Sequence, residues 1–498
     1  MTKNLGVKLL GGAAIAGLLI GCPTSPDGGP CEGAQCVGSF EGGLDGPDGP
    51  LADGDVPDVD VPGCDLTKAP KDSPACLDDK AGIFVSPTGS DNAAGTRATP
   101  VKTIPKAVAL AGAQRLPRVY VCEGTYPEPI TVTGPVSLYG GLTCARVPAE
   151  VTPLLAPPKG VALRITSVAA PIVVQDLAIT GSADTAAPGD SAIAVFVVGS
   201  PAVTLRHVAL RAGPGVAGKG EAKAADGALL ASTPTAGTLN GNGGGPTNGG
   251  LAQTCTCVGG STSKGGGGGS TGADGSPGET AQATPEPTVA TGAGQTANDC
   301  LMAGPVAKPG SAAPAGGAGA GATTLGTLTA AGWAPQPGAD ATAYGSPGQG
   351  GGGGGGAGGG GGGGACGGCG GAPGKAGGGG GASLALLALD SPVSLLASSL
   401  TTADAGNAAP GGQGGDGLAG GTKGTLGGAA CPGGNGGKGG AGGAGGGGSG
   451  GISAGVLAKG KPPTLDPATT AATLPGKKGD AGGGNGIDGQ SAPLVTLP

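Results

Sequence analysis

The sequence predicts an all-β solenoid of few coils, interrupted by long Gly-rich excursions. Three observations lead there. Short apolar runs rich in β-branched residues recur between residues 81 and 212, separated by Gly and Pro. Stretches of that region repeat one another, and one of them recurs much later in the chain. Gly and Pro, with 120 and 45 of the 498 residues, make up about a third of the chain. One Trp, four Tyr and three Phe are the only aromatics, and Ala inflates the apolar 37%, so the chain can build one modest core. The three packed domains that length alone suggests are excluded. A charged content of 12% likewise excludes a highly charged disordered chain.

In chain order, residues 1–21 read as a signal. Lys3 and Lys8 precede an apolar stretch from Leu9 to Ile20. That stretch is shorter than the roughly 20 residues that span a bilayer, and it suits the core of a secretory signal. It ends Leu19-Ile20-Gly21-Cys22, which resembles the lipobox of bacterial lipoproteins. The resemblance implies cleavage before Cys22, thioether lipidation of its thiol and acylation of the new amino terminus. Several acyl chains hold a protein on a membrane where one is marginal. Pro23 and Thr24 follow, without the Asp that commonly retains lipoproteins at the inner membrane, so an outer-membrane, surface-exposed location is expected.

Residues 22–80 are expected as a tether. Between Pro23 and Thr67 lie ten acidic residues and no Lys or Arg, amid repeated Asp-Gly, Gly-Pro and Val-Pro steps. Such sequence resists regular structure, and like charges extend it. With these acids and the signal lysines set aside, the body is close to neutral. A nucleic-acid partner is therefore excluded.

Residues 81–212 carry the strand runs. They include Ile83-Phe84-Val85, Val119-Tyr120-Val121-Cys122, Ile130-Thr131-Val132, Val136 to Tyr139, Ala162 to Ile165 and Ile193 to Val198. Ile104 to Ala113 is a helix candidate with Ile104, Val108 and Ala111 on one face. Val174 to Ile179 aligns with Leu205 to Leu210, and Ala192 to Leu210 recurs as Ser383 to Leu400. A lone coil cannot bury its apolar face, so residues 382–402 are expected to rejoin the stack. Residues 213–381 are then an insertion within it, and 403–498 form a Gly-rich C-terminal segment.

Ile83 to Asp91, Gly95-Thr96-Arg97, Pro100 to Ile104, Val119-Tyr120-Val121, Glu123 to Tyr126 and Leu138 to Gly141 together resemble a domain of unknown function in bacterial exported proteins. The resemblance implies the opening of a right-handed parallel β-helix of the pectate-lyase-like type, with the helix capping its first coil. It carries no catalytic residues.

The Gly-rich segments allow two readings. One is a flexible surface loop, because Gly loses most entropy on ordering. The other is a bundle of extended polyglycine strands with three residues per turn. From Pro432 the pattern becomes triplets through Asn435, Lys438, Ala441 and Ala444. Collagen is excluded, since Pro is scarce and the period short. The composition resembles the Gly-rich (PGRS-like) repeats of mycobacterial surface proteins.

Thirteen Cys less a lipidated Cys22 leaves an even number, which in an oxidising compartment points to disulfides. Cys31 with Cys36, Cys64 with Cys76 and Cys122 with Cys144 suit local pairs. Cys255, Cys257, Cys300, Cys366, Cys369 and Cys431 complete the set. A metal at Cys366 and Cys369 would need two more ligands, and His207 is the sole His. Asp416 and Asp488 sit where calcium-binding Gly-rich nonapeptides carry Asp, but the copies are isolated and read as coincidence. Asp176 and His207 occupy equivalent repeat positions and are the candidates for acid–base work. The alternative for them is a ladder of turn residues, with Ala397 as its third member. The expectation is a non-catalytic, lipid-anchored envelope protein with a structural or adhesive role. It engages the membrane through its lipid and a surface glycan or matrix as partner, and no cofactor is implied. The second reading is a β-helix lyase or hydrolase acting on an acidic polysaccharide.

Overall fold

The computed structural model describes residues 59–230, 238–283, 288–302, 306–483 and 485–498. Three parallel sheets run its length. The first contains Gly82–Val85, Arg118–Cys122, Ser137–Leu142, Ile172–Gln175, Val203–Arg206, Val393–Leu396 and Thr464–Leu465. The second contains Thr125–Tyr126, Leu154–Leu155, Ala178–Gly181, Ala209–Ala212, Ser399–Thr402 and Thr473–Leu474. The third contains Ile130–Val132, Leu163–Thr166, Ala192–Val198, Ser383–Leu389, Ser453–Lys459 and Ser491–Leu497. The chain visits first, second and third sheet in turn, which makes a parallel β-helix.

Stacked rungs explain the core. Ile130, Leu163, Val195, Leu386 and Val456 follow one another across the third sheet. Leu138, Val174, Leu205 and Leu395 do so in the first, and Leu155, Ile179, Leu210 and Leu400 in the second. All of them are buried in one cluster. Each rung thus covers the apolar face that a lone coil would expose. The repeat read between 192–210 and 383–400 is a direct pairing, Ala192 with Ser383 and Leu210 with Leu400.

The stack continues past the single returning coil expected at 382–402. Ser453–Lys459, Thr464–Leu465, Thr473–Leu474 and Ser491–Leu497 add further rungs from within the segment read as purely Gly-rich. Two of these strands are only two residues long, too short for a periodic signal.

The helix Ile104–Gln114 seats Ile104, Ala107 and Ala111 against the core, with Val108 packed beside them. Thr103 caps it by accepting from the Lys106 N–H, and Arg115 ends it in a left-handed conformation. Residues 59–80, read as the end of the tether, lie against the first sheet. The Arg118 guanidinium donates to the Leu66 and Lys68 carbonyls at 2.6 and 2.7 Å, and the Tyr120 hydroxyl donates to the Cys76 carbonyl. The Cys64–Cys76 disulfide closes this piece.

The long excursions leave from one place in each coil, the passage from second to third sheet. It is short at 182–191, then spans 213–382, 403–452 and 475–490. Beside the short antiparallel strands Thr254–Thr256, Thr262–Lys264 and Glu279–Gln282 and the hairpin Gly326–Thr329/Gly332–Pro335, the described Gly-rich stretches form an ordered bundle of extended strands whose hydrogen bonds recur at every third residue. The N–H groups of Ala365, Gly368, Gly371, Gly374, Gly377 and Gly380 donate in parallel register to the carbonyls of Gly434, Gly437, Gly440, Gly443, Gly446 and Ser449. The next bond, Ser383 to Ile452, carries that register into the third sheet. Gly406, Ala409, Gly412, Gly415, Leu418 and Gly421 meet the same strand in antiparallel sense, at Gly381, Gly378, Lys375, Ala372, Cys369 and Cys366. Three-residue periodicity with extended backbone is the polyglycine counterpart of the polyproline II helix. Of the two readings of the glycine segments, the structure has the packed bundle.

Packing decides why Gly is used there. A Cβ on Gly368 would lie 1.8 Å from the Leu418 carbonyl oxygen, and one on Gly371 would lie 1.9 Å from that of Gly415. Backbones this close leave room for hydrogen alone. The entropy lost in ordering Gly is offset by backbone hydrogen bonds on several sides of each central strand. On the outer strand, the larger polar side chains stand where the strand faces water. Asp404, Asn407, Gln413, Asp416 and Thr422 are exposed at three-residue steps, while Gly406, Gly412, Gly415 and Gly421 between them are buried.

Candidate functional site

At the turn from first to second sheet, one residue in each of three successive coils takes a left-handed conformation. Asp176, His207 and Ala397 have φ of 57°, 50° and 46°. Non-Gly residues pay for that conformation unless a local hydrogen bond or the surrounding fold imposes it. Here the strands on both sides are already paired, so the turn is dictated by the stack. Asp466 follows Leu465 at the corresponding place, and its carboxylate accepts from the Ala397 N–H at 2.9 Å. Bonds from Thr469, first the side chain, and from the Ala397 N–H hold its carboxyl below the usual carboxylate value.

The stack brings the sequence-predicted pair together. His207 Nδ1 lies 3.5 Å from Asp176 Oδ1, and Asp176 Oδ2 accepts from Gln175 Nε2 at 2.9 Å. The pair lines a cleft of about 320 Å³ with Lys71, Gly141, Glu150 and Thr152. Sequence reasoning missed Glu150 and Lys71, which arrive from an irregular loop and from the segment read as tether. No periodic signal marks either one. The arrangement offers an imidazole and two carboxyls beside one opening. It is equally a turn ladder, because the equivalent position holds Ala397 two coils below Asp176.

The ten described cysteines all form disulfides. Cys64 pairs with Cys76 and Cys122 with Cys144, as their spacing suggests. Cys255 joins Cys366, Cys257 joins Cys369 and Cys300 joins Cys431. Cys366 and Cys369 stand three residues apart, one turn of an extended strand. They staple the hairpin Thr254–Thr256/Thr262–Lys264 to the middle of the bundle. Among the described residues, no group of three or more His, Cys, Asp or Glu is placed to hold a metal.

Asp416 and Asp488, weighed as calcium positions, face lysines instead. Asp416 meets Lys223 at 2.8 Å, and Asp488 pairs with Lys478. The Lys478 ammonium, then the Ala481 N–H, hold the Asp488 carboxyl below its ordinary value. Lys375 does the same to Asp340. These pairs decorate the bundle surface, and the Asp488 and Asp340 carboxylates also accept backbone N–H groups, of Ala481 and Ala376. Cys22, Cys31 and Cys36 lie outside the described residues. No described helix is long and apolar enough to cross a membrane.

Comparison with known proteins agrees with this architecture at one end. No curated protein and no solved structure matches the chain. Residues 87–144, from the first coil through its capping helix to Cys144, match the family described as Protein of unknown function (DUF1565), which is found at the start of pectate-lyase-like β-helix proteins.

Proposed function

We propose that this chain is a non-catalytic cell-envelope lipoprotein, anchored through Cys22 at the outer membrane, that presents its glycine bundle in a structural or adhesive role toward surface glycans or matrix. The observation that carries the reading is the bundle itself. Its described strands, such as 365–380, 406–421 and 434–449, are joined by period-three hydrogen bonds, three disulfides staple the bundle, and it is continuous with the β-helix through the Ser383 and Ser453 strands. Such a body is hydrogen-bonded strand to strand, and its outward positions carry polar and charged groups. Those are properties of a presenting surface. Disulfides suit an oxidising compartment outside the cytosol.

The test follows an epitope placed after Leu497 on intact cells, together with a Cys22→Ala variant. Loss of the epitope to external protease, and release of the variant from the membrane fraction, are expected. Protection until the outer membrane is opened would refute surface exposure. Retention of the variant would refute the lipid anchor.

The cleft at Asp176 and His207 supports a second reading, a lyase or hydrolase of an acidic polysaccharide. Purified protein that binds a polysaccharide without shortening it favours the first reading. Depolymerisation that disappears in Asp176→Ala favours the second.

A further inference from the structure

Seven of the eight aromatic residues are described, and six of them are buried. Phe84, Tyr120, Tyr126, Tyr139 and Phe196 pack within the β-helix or against it, and Trp333 covers the third sheet. Tyr344 is different. It stands on a glycine-bundle strand and is 40% exposed. A Cβ on Gly259 would lie 3.2–3.3 Å from three atoms spread around the Tyr344 ring, so the Gly259 backbone sits over one ring face. The same residues border a cleft of about 880 Å³, joined by Ser261, Gln282, Thr342 and Ser346. No described residue lining it is charged. Its volume is within the roughly 300–1,000 Å³ of small-ligand pockets.

Both walls hang from one rigid strand. The Gly345 and Gly348 N–H groups donate to the Gly371 and Gly368 carbonyls, which flank Cys369. Cys369 is bonded to Cys257, which opens the turn that carries Gly259, Gly260 and Ser261. Gly259 and Gly260 hold φ of 101° and 86°, which sets the turn against the tyrosine. The aromatic and hydroxyl-bearing walls are therefore positioned before any ligand arrives, and preorganisation reduces the ordering cost of binding.

From this geometry we infer that the Tyr344 cleft binds an uncharged saccharide, a sugar ring stacking on the tyrosine while its hydroxyls bond to Gln282, Ser261, Thr342 and Ser346. An aromatic face suits the C–H face of a pyranose, and neutral amide and hydroxyl groups both donate to and accept from sugar hydroxyls. A polyanionic glycan would find no described cation in the lining to pair with. The inference rests on the adhesive reading and names its ligand class, and it places the site on the bundle rather than in the Asp176 cleft.

The test uses the full secreted chain with intact disulfides. Neutral hexose oligosaccharides and uronic-acid oligosaccharides of equal length are compared by saturation-transfer NMR and calorimetry. Binding of neutral probes is expected, weakened about tenfold or more in Tyr344→Ala and in Gln282→Ala, as for a residue at the centre of an interface. Tyr344→Phe should stay within about threefold of the parent, since the ring face is kept. Asp176→Ala should bind as the parent does. Unchanged binding in Tyr344→Ala, loss in Asp176→Ala, preference for the uronic-acid probes, or no binding of neutral probes would each overturn the inference. Circular dichroism and disulfide mapping exclude misfolding of the variants as the cause. The adhesive reading has its own readout. Cells lacking the protein that adhere as well as the parent would refute that reading, whatever the cleft binds.

Discussion

Replacing Gly371 with Ala tests whether the glycine bundle is a packed body. The added Cβ would stand 1.9 Å from the Gly415 carbonyl oxygen and 2.4 Å from its carbon. Carbon and oxygen do not approach within 3.0 Å, so the two strands must part by about 1 Å. That displacement falls on the bonds Gly415 to Ala372, Leu418 to Cys369 and Gly412 to Lys375, each 2.8 or 2.9 Å long. Two or three weakened bonds at about 1 kcal/mol each, with a buried group left unpaired at about 1–3 kcal/mol, set the gross cost. Against it, Ala restricts the unfolded chain and returns about 0.4–1 kcal/mol. The net expectation is a loss of about 2–6 kcal/mol. Gly317→Ala is the control, because nothing lies within 4 Å of its Cβ. It should be neutral or stabilising by less than about 1 kcal/mol. Urea unfolding followed by Trp333 fluorescence and hydrogen exchange across 360–382 and 406–424 would read both. If the two variants lose equal protection and share one midpoint, the reasoning from close backbone packing is wrong.

Three further outcomes follow from the same structure. Paired Cys257→Ser and Cys369→Ser changes remove a disulfide that closes a 112-residue separation, and should cost about 2–4 kcal/mol by chemical denaturation, with exchange rising first around Cys257–Ser261. Leu386→Ala, in a fully buried rung between Val195 and Val456, should cost about 2–5 kcal/mol, and an exposed substitution such as Thr422→Ala under 1 kcal/mol. Lys223, Lys375 and Lys478 hold the Asp226, Asp340 and Asp488 carboxyls below their usual value of 3.8. Their folded-state values are depressed, so their contribution is complete above about pH 4 and fades as pH falls below the unfolded value. A thermal midpoint that is steady from pH 7 to 5 and declines below 4 is expected, with less decline in Lys375→Met. A midpoint that rises on acidification would contradict these pairings.

The β-helix was legible because its physics is written in short periods. β-branched alternation marks strands such as Ile130–Val132 and Leu163–Thr166, and the repeat of 192–210 at 383–400 reports stacking directly. The helix Ile104–Gln114 was legible from the spacing of Ile104, Val108 and Ala111. Two-residue strands such as Thr464–Leu465 were not, because they carry too few side chains to show alternation. In the Asp176 cleft, the contacts between His207 and Asp176 followed from equivalent repeat positions. Glu150 and Lys71 did not, since irregular segments place them through contacts that no local pattern encodes.

The sequence by itself determined that there would be one modest β solenoid, an acidic and Pro-rich leader into it, and cysteines sufficient for disulfides. Local composition and periodicity suffice for those statements, because strand propensity, charge and thiol number are properties of short segments. Only the tertiary structure decided the state of the glycine. A Gly-rich strand carries no side-chain pattern, and its backbone satisfies water as well as it satisfies a neighbour. Its order depends on other strands being anchored beside it, by the β-helix rungs that it enters at Ser383 and Ser453 and by Cys255–Cys366, Cys257–Cys369 and Cys300–Cys431. The disulfide partners lie more than a hundred residues apart in sequence, and it is this convergence of distant segments that turns a flexible composition into a packed surface.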